Sequence, residues 1–126
     1  MSTSTKQKIL IVDDEPDILE LIEYNLKKEG YQVYTARNGQ EAVSEAKKAL
    51  PDLIVLDIMM PKMDGYEATR HIRRQNKWAK LPVIALTAKA MKDDREKCIA
   101  AGANDYITKP VDMDRLISLM QLWLES

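Results

Sequence analysis

Two hydrophobic patterns alternate along the chain. Ile9-Leu10-Ile11-Val12, Leu53-Ile54-Val55-Leu56 and Val83-Ile84-Ala85-Leu86 are short unbroken apolar runs. They are too short for helices and lack the polar alternation of a half-exposed strand, so each reads as a strand covered on both faces. Residues 32–36 predict a weaker strand, and residues 105–108 a further one. Between the runs, apolar residues recur at helical spacing. Pro16, tolerated in a first turn, opens a helix that runs to about Glu29 and stops at Gly30. Asn38-Gly39 predicts a turn before a helix over 40–50, ended by Pro51. Asp64-Gly65 opens a helix to about Gln75, a further helix over 89–101 stops at Gly102, and Asp112 can cap a last one through Leu124.

Five strands alternating with five helices predict a doubly wound α/β fold with a parallel sheet. Right-handed crossovers leave few topologies, and the order 2-1-3-4-5 is the expected one. In that order the chain reverses direction between strands 1 and 3, where ligands bind outside the carboxyl ends of the strands. In the first helix Leu19, Ile22 and Leu26 form a core stripe, with Ile18 and Leu21 offset toward partial exposure. In the last, Met113, Leu116, Ile117, Met120 and Leu124 can face the sheet. Leu119, Leu122 and Trp123 then widen the apolar arc, which fits either an interface or a broad core contact.

Composition narrows the classes. A chain of 126 residues, 45% hydrophobic and 31% charged, is expected to form one folded domain over 1–126, with its core at about 7–124. Nineteen basic against 20 acidic side chains give a net charge of −1, without the basic field that nucleic acid requires. The single cysteine, Cys98, makes neither an internal disulfide nor a thiolate cage, and reads as a packing residue. The single histidine, His71, excludes a multi-histidine metal site and reads as solvated among Arg70, Arg73 and Arg74. No apolar run approaches a membrane span, and residues 1–8 are polar, unlike a signal peptide. A cytoplasmic protein is expected.

The predicted strands end in Asp13-Asp14, Asp57, Thr87 and Lys109. Three carboxylates about 5 Å apart repel by roughly 3 kcal/mol per pair at an effective dielectric near 20. Gathering them calls for a cation, either Lys109 or a divalent metal. Oxygen ligands with incomplete protein coordination suit Mg²⁺. Metal, carboxylate, lysine and hydroxyl together are equipment for phosphoryl transfer, and a carboxylate can itself be the nucleophile.

With these residues in place, the chain resembles the receiver domains of two-component response regulators, the family of the bacterial chemotaxis regulator. The resemblance spans about residues 7–124. It is carried by Val12-Asp13-Asp14-Glu15, Leu56-Asp57-Ile58-Met59-Met60-Pro61, Met63-Asp64-Gly65, Leu86-Thr87-Ala88 and Asp105-Tyr106-Ile107-Thr108-Lys109-Pro110. It implies a flavodoxin-like fold with Asp57 as phosphoacceptor. Mg²⁺ would be bound by Asp14, Asp57 and the carbonyl of Met59, and by Asp13 largely through water. Thr87 and Lys109 would contact phosphoryl oxygens, Tyr106 would be a rotating switch aromatic, and the Lys109-Pro110 bond would be cis. The implied donor is a histidine kinase or histidine phosphotransfer protein; the offset apolar residues of the first helix beside the acidic pair suggest that Glu15, Ile18 and Leu21 help dock it. A downstream protein would read the fourth helix, fifth strand and fifth helix, a face that could also support a weak homodimer of an otherwise monomeric chain. Residues 87–102 resemble receivers attached to hybrid histidine kinases, while the first half resembles receivers of transcription factors. No residues are left for a DNA-binding domain, so output is expected to pass through another protein, unless the chain is part of a longer one.

Taken singly, the same residues have simpler readings. Asp13-Asp14 could cap a helix, Asp57 could be a turn residue and Tyr106 a half-buried core aromatic. Phosphatases with an aspartyl nucleophile on a similar fold carry a second aspartate two positions later; here that position is Met59. No Gly-rich phosphate loop follows a strand, which argues against a nucleotide or flavin binder. A phosphorylation-independent binding module is opposed by the intact acidic trio, Thr87 and Lys109.

Overall fold

The computed structural model describes residues 7–57, 70, 72, 81–87, 99 and 102–125. Five parallel strands form one sheet, β1 (Lys8–Val12), β2 (Gln32–Ala36), β3 (Leu53–Asp57), β4 (Val83–Thr87) and β5 (Asp105–Thr108). Their order is β2-β1-β3-β4-β5, the one expected among the few that right-handed crossovers leave. Three helices are described, α1 (Pro16–Lys28), α2 (Gly39–Ala49) and the C-terminal α3 (Met113–Leu124). The helices expected over 64–75 and 89–101 lie outside the described residues except for Arg70, Ile72 and Ile99, which are helical.

The central strands are buried on both faces, which is why their sequences read as unbroken apolar runs. Alternate residues serve opposite layers. Ile9 and Ile11, Leu53 and Val55, Ile84 and Leu86 pack with Leu19, Ile22 and Leu26 of α1 and Leu116 and Met120 of α3. Leu10 and Val12, Ile54 and Leu56, Val83 and Ala85 pack with Ala42 and Ala46 of α2 and with Ile72. The central strands thus lie between two apolar layers, while the edge strands β2 and β5 are partly exposed.

The helix ends explain their sequences. At the end of α1, Gly30 adopts φ +95°, its N–H donates to the Lys27 carbonyl, and the Tyr31 N–H reaches back to Leu26. This is a Schellman closure, with Tyr31 packed on the core that holds Leu26. Asn38-Gly39, expected as a turn, is instead the start of α2. Asn38 Oδ1 accepts the Glu41 N–H at 2.9 Å while Glu41 accepts from the Arg37 N–H at 3.1 Å. Asp112 caps α3 through the Arg115 N–H as expected. On α3, Leu119 and Trp123 pack against the core, so the broad-contact alternative holds for them, and Leu122 stays 59% exposed.

A Cβ added at Gly30 would meet nothing within 4 Å, so the cost of a substitution there is conformational alone. Gly30→Ala is expected to destabilise the fold by about 1 kcal/mol in urea denaturation, because an L-residue at positive φ is strained.

Candidate functional site

The carboxyl ends of β1, β3, β4 and β5 deliver the side chains that the sequence singled out. Asp13 follows β1 directly, and its N–H continues the ladder to the Ala36 carbonyl. Asp57 is the last residue of β3, in register with Leu86. Thr87 ends β4 opposite Thr108, and the Lys109 N–H donates to the Thr87 carbonyl at 2.7 Å. Strand register therefore fixes the backbone under each group. The Lys109-Pro110 peptide is cis, as the resemblance implied.

Asp13, Asp14 and Asp57 each bring a carboxylate oxygen into a cluster in which all three lie within 4.8 Å of one another. Asp13 and Asp57 are buried and Asp14 is exposed. Asp13 Oδ1 accepts the Glu15 N–H at 2.9 Å. Its Oδ2 meets Lys109 Nζ at 3.0 Å in a close ion pair without the directionality of a hydrogen bond. The same ammonium lies 3.3 Å from Asp57 Oδ2 and 3.3 Å from Glu15 Oε1. Burial draws the Lys109 pKa down, but contact with Asp13, the charge of Asp57 and then Glu15 outweigh it, and the ammonium is held above the ordinary lysine range.

Thr87 Oγ1 is fully buried and has no hydrogen-bond partner among the described residues. A buried hydroxyl without a partner costs stability, and such groups in native folds mark ligand or catalytic sites. Tyr106 is half-buried against the layer that contains Ala85. Met59 lies outside the described residues, as do His71 and Cys98.

The expected docking trio is divided. Leu21 is 44% exposed, and Ile18 is half-buried against the α1–α3 core layer. Glu15 turns its carboxylate to Lys109. That contact was not foreseen, since an acidic residue before a proline reads as a first-turn charge, and nothing local links it to a lysine 94 positions away. All other site residues within the described segments stand where the strand ends were expected to bring them.

The donor set fits a hard divalent cation. Among the described residues it offers three carboxylates, too few for an all-protein cage, and their negative charge exceeds what one ammonium neutralises. No helix among the described residues is long and apolar enough to cross a membrane.

This sheet order, with an acidic trio, a lysine and a hydroxyl at the strand ends, defines a class. The chain belongs to the response regulator receiver domain family, which it matches over residues 9–121. It is 47% identical over 104 residues to the alkaline phosphatase synthesis transcriptional regulatory protein PhoP of Bacillus subtilis, a match covering 82% of this chain and 42% of PhoP. The receiver domain of a Pseudomonas aeruginosa sensor histidine kinase, solved with a magnesium ion in its active-site cleft, is 42% identical. It superposes with a TM-score of 0.90 over 97% of this chain and 100% of that one. The chemotaxis protein CheY4 of Vibrio cholerae is 32% identical, with a TM-score of 0.89 over 94% of this chain and 98% of that one.

Folding raises the Lys109 pKa above its unfolded value of 10.5. The stability this brings is complete below pH 10.5 and is lost as pH climbs through the higher folded value. Lys109→Met should therefore lower the urea unfolding free energy at neutral pH by on the order of 2 kcal/mol, less than for a fully buried pair because the side chain keeps some water contact. The gap from the parent protein should shrink above pH 10.5. A gap independent of pH would mean that packing, not charge, is lost.

Proposed function

We propose that this chain is a phosphoryl-accepting signalling switch, in which Asp57 receives a phosphoryl group from a phosphohistidine on a histidine kinase or histidine phosphotransfer protein. One observation carries the reading. Asp57 sits in an acidic trio within 4.8 Å, with an ammonium 3.3 Å from its Oδ2 and the unsatisfied Thr87 hydroxyl one residue past its register partner Leu86. The magnesium-bound histidine kinase receiver, at 42% identity, supports Mg²⁺ as the metal.

Asp13, Asp14, Asp57 and, by the family pattern, the Met59 carbonyl would hold the ion. When bound, it supplies charge neutralisation on the transferring oxygens. An Asp57 oxygen attacks phosphorus, and a P–O bond forms as the donor's P–N bond breaks. The electron pair returns to the donor imidazole, which takes up a proton. Lys109 pairs with a phosphoryl oxygen and Thr87 donates its hydroxyl to another. Water later attacks the acyl phosphate, returning the Asp57 carboxylate and inorganic phosphate. The chain is thus a phosphoacceptor with intrinsic transfer and hydrolysis chemistry rather than an enzyme acting on a free substrate.

Strand register supports a switch. Tyr106 pairs with Ala85, and Thr87 lies two residues further along the same face of β4. A Thr87 hydroxyl drawn to a phosphoryl oxygen vacates space beside the small Ala85, into which the Tyr106 ring turns. The changed face around β5 and α3 is then read by a downstream protein, or by a second copy in a weak dimer. Leu21 and Ile18 form the donor-side contact on α1. Cytoplasmic residence follows from where such donors present phosphohistidine.

Incubation with acetyl phosphate and Mg²⁺ should add one phosphoryl group by intact mass. Asp57→Asn should stay folded and gain none; a label retained in that variant would move the acceptor elsewhere. Millimolar Mg²⁺ should raise the melting temperature by relieving carboxylate repulsion, and Asp14→Asn should lose most of that rise. Ile18→Ser should slow transfer from a cognate phosphohistidine donor more than from acetyl phosphate. Equal slowing would remove Ile18 from docking.

A further inference from the structure

Glu15 occupies the N-cap position of α1, where Ser, Thr, Asp and Asn are the usual residues. Its side chain makes no cap bond. Its backbone is nonetheless held from both sides. Its N–H donates to Asp13 Oδ1 at 2.9 Å and its carbonyl accepts the Leu19 N–H at 3.1 Å. From this anchored backbone the carboxylate reaches Lys109 Nζ at 3.3 Å.

Three carboxylates compete for this ammonium, Glu15 and Asp57 as hydrogen-bond acceptors and Asp13 through an ion pair. A phosphoryl oxygen arriving on Asp57 enters that competition. Asp13 is fully buried and pinned, and Asp57 carries the new group. Glu15 is 60% exposed at its side chain and stands outside the acidic trio, so it can swing into water at little cost.

We infer that Glu15 is a positioning residue, an internal anion that holds Lys109 over the site until a phosphoryl group displaces it. This deepens the proposed function and rests on Asp57 being the acceptor. Glu15 therefore weakens phosphoryl binding, because its ion pair with Lys109 competes with the incoming oxygen.

The test compares the parent protein with Glu15→Gln, which keeps the shape and removes the charge. Binding of beryllofluoride, a phosphoryl mimic, is titrated in the presence of Mg²⁺ at low salt and at 1 M salt. Glu15→Gln should bind about two- to fivefold tighter at low salt, the range set by an exposed ion pair. The difference should vanish at 1 M salt, where such pairs are screened. A merely structural role would not produce that salt dependence. Equal or weaker binding by Glu15→Gln, or a gain that persists at 1 M salt, overturns the inference. So does loss of the Mg²⁺-induced rise in melting temperature in Glu15→Gln, which would make Glu15 a metal ligand. If neither protein binds the mimic and the parent takes no label from acetyl phosphate, the acceptor reading itself falls, a different result from parent binding that Glu15 does not modulate.

Discussion

One ammonium holds the site together. Asp13 and Asp57 are buried carboxylates on neighbouring strands, with Asp14 beside them, and unbalanced repulsion at this spacing is about 3 kcal/mol per pair at an effective dielectric near 20. Lys109 touches Asp13, Asp57 and Glu15 at 3.0–3.3 Å from the opposite edge of the cluster. Its single charge does not balance the carboxylates around it. The site is therefore compact yet still negative, which makes it receptive to a divalent cation while a lysine stays ready for an anion.

The fold makes that imbalance tolerable. β1, β3 and β4 are clamped between two apolar layers, so their ends cannot separate to relieve repulsion. The backbone bonds from Asp13 to Ala36 and from Lys109 to Thr87 carry the ladder to the site residues themselves. Repulsion that would splay a loop is here opposed by the stability of the whole sheet. Chemistry placed on strand ends, rather than in a surface loop, gains a fixed geometry in return for a less stable fold.

Much of this was legible in the sequence because burial on both faces leaves an unmistakable mark. A strand covered on two sides cannot alternate, so β1, β3 and β4 appear as apolar runs, and the acidic or hydroxyl residue ending each run falls at the sheet's edge. Given the strand order, Asp13, Asp57, Thr87 and Lys109 had to converge. What escaped the sequence depends on distance or on a shared preference. Asn-Gly suits both a turn and a helix start, and only the Glu41 contacts decide for the cap. Whether Leu119 and Trp123 are core or surface depends on how far α3 sinks into the layer, which helical spacing does not encode. The Glu15–Lys109 pair joins residues whose local sequences each have a complete explanation without the other.

On the proposed reading, the same geometry would let a small electrostatic change at Thr87 be felt at β5. Thr87 and Tyr106 share one face of the sheet, and Ala85 is the register partner of Tyr106 on β4. A larger residue at 85 would fill the space between hydroxyl and ring and leave nothing to respond. An alanine contributes little to the core, so its presence in an otherwise Val-, Ile- and Leu-rich strand sacrifices packing. Such a sacrifice is intelligible if the space beside it has two occupants in turn. The unsatisfied Thr87 hydroxyl is the other half of the same bargain, because a group without a partner in one state is free to take one in the next. The missing hydrogen bond at Thr87 destabilises the resting state, and on the proposed reading it narrows the gap that a single phosphoryl group would have to overcome.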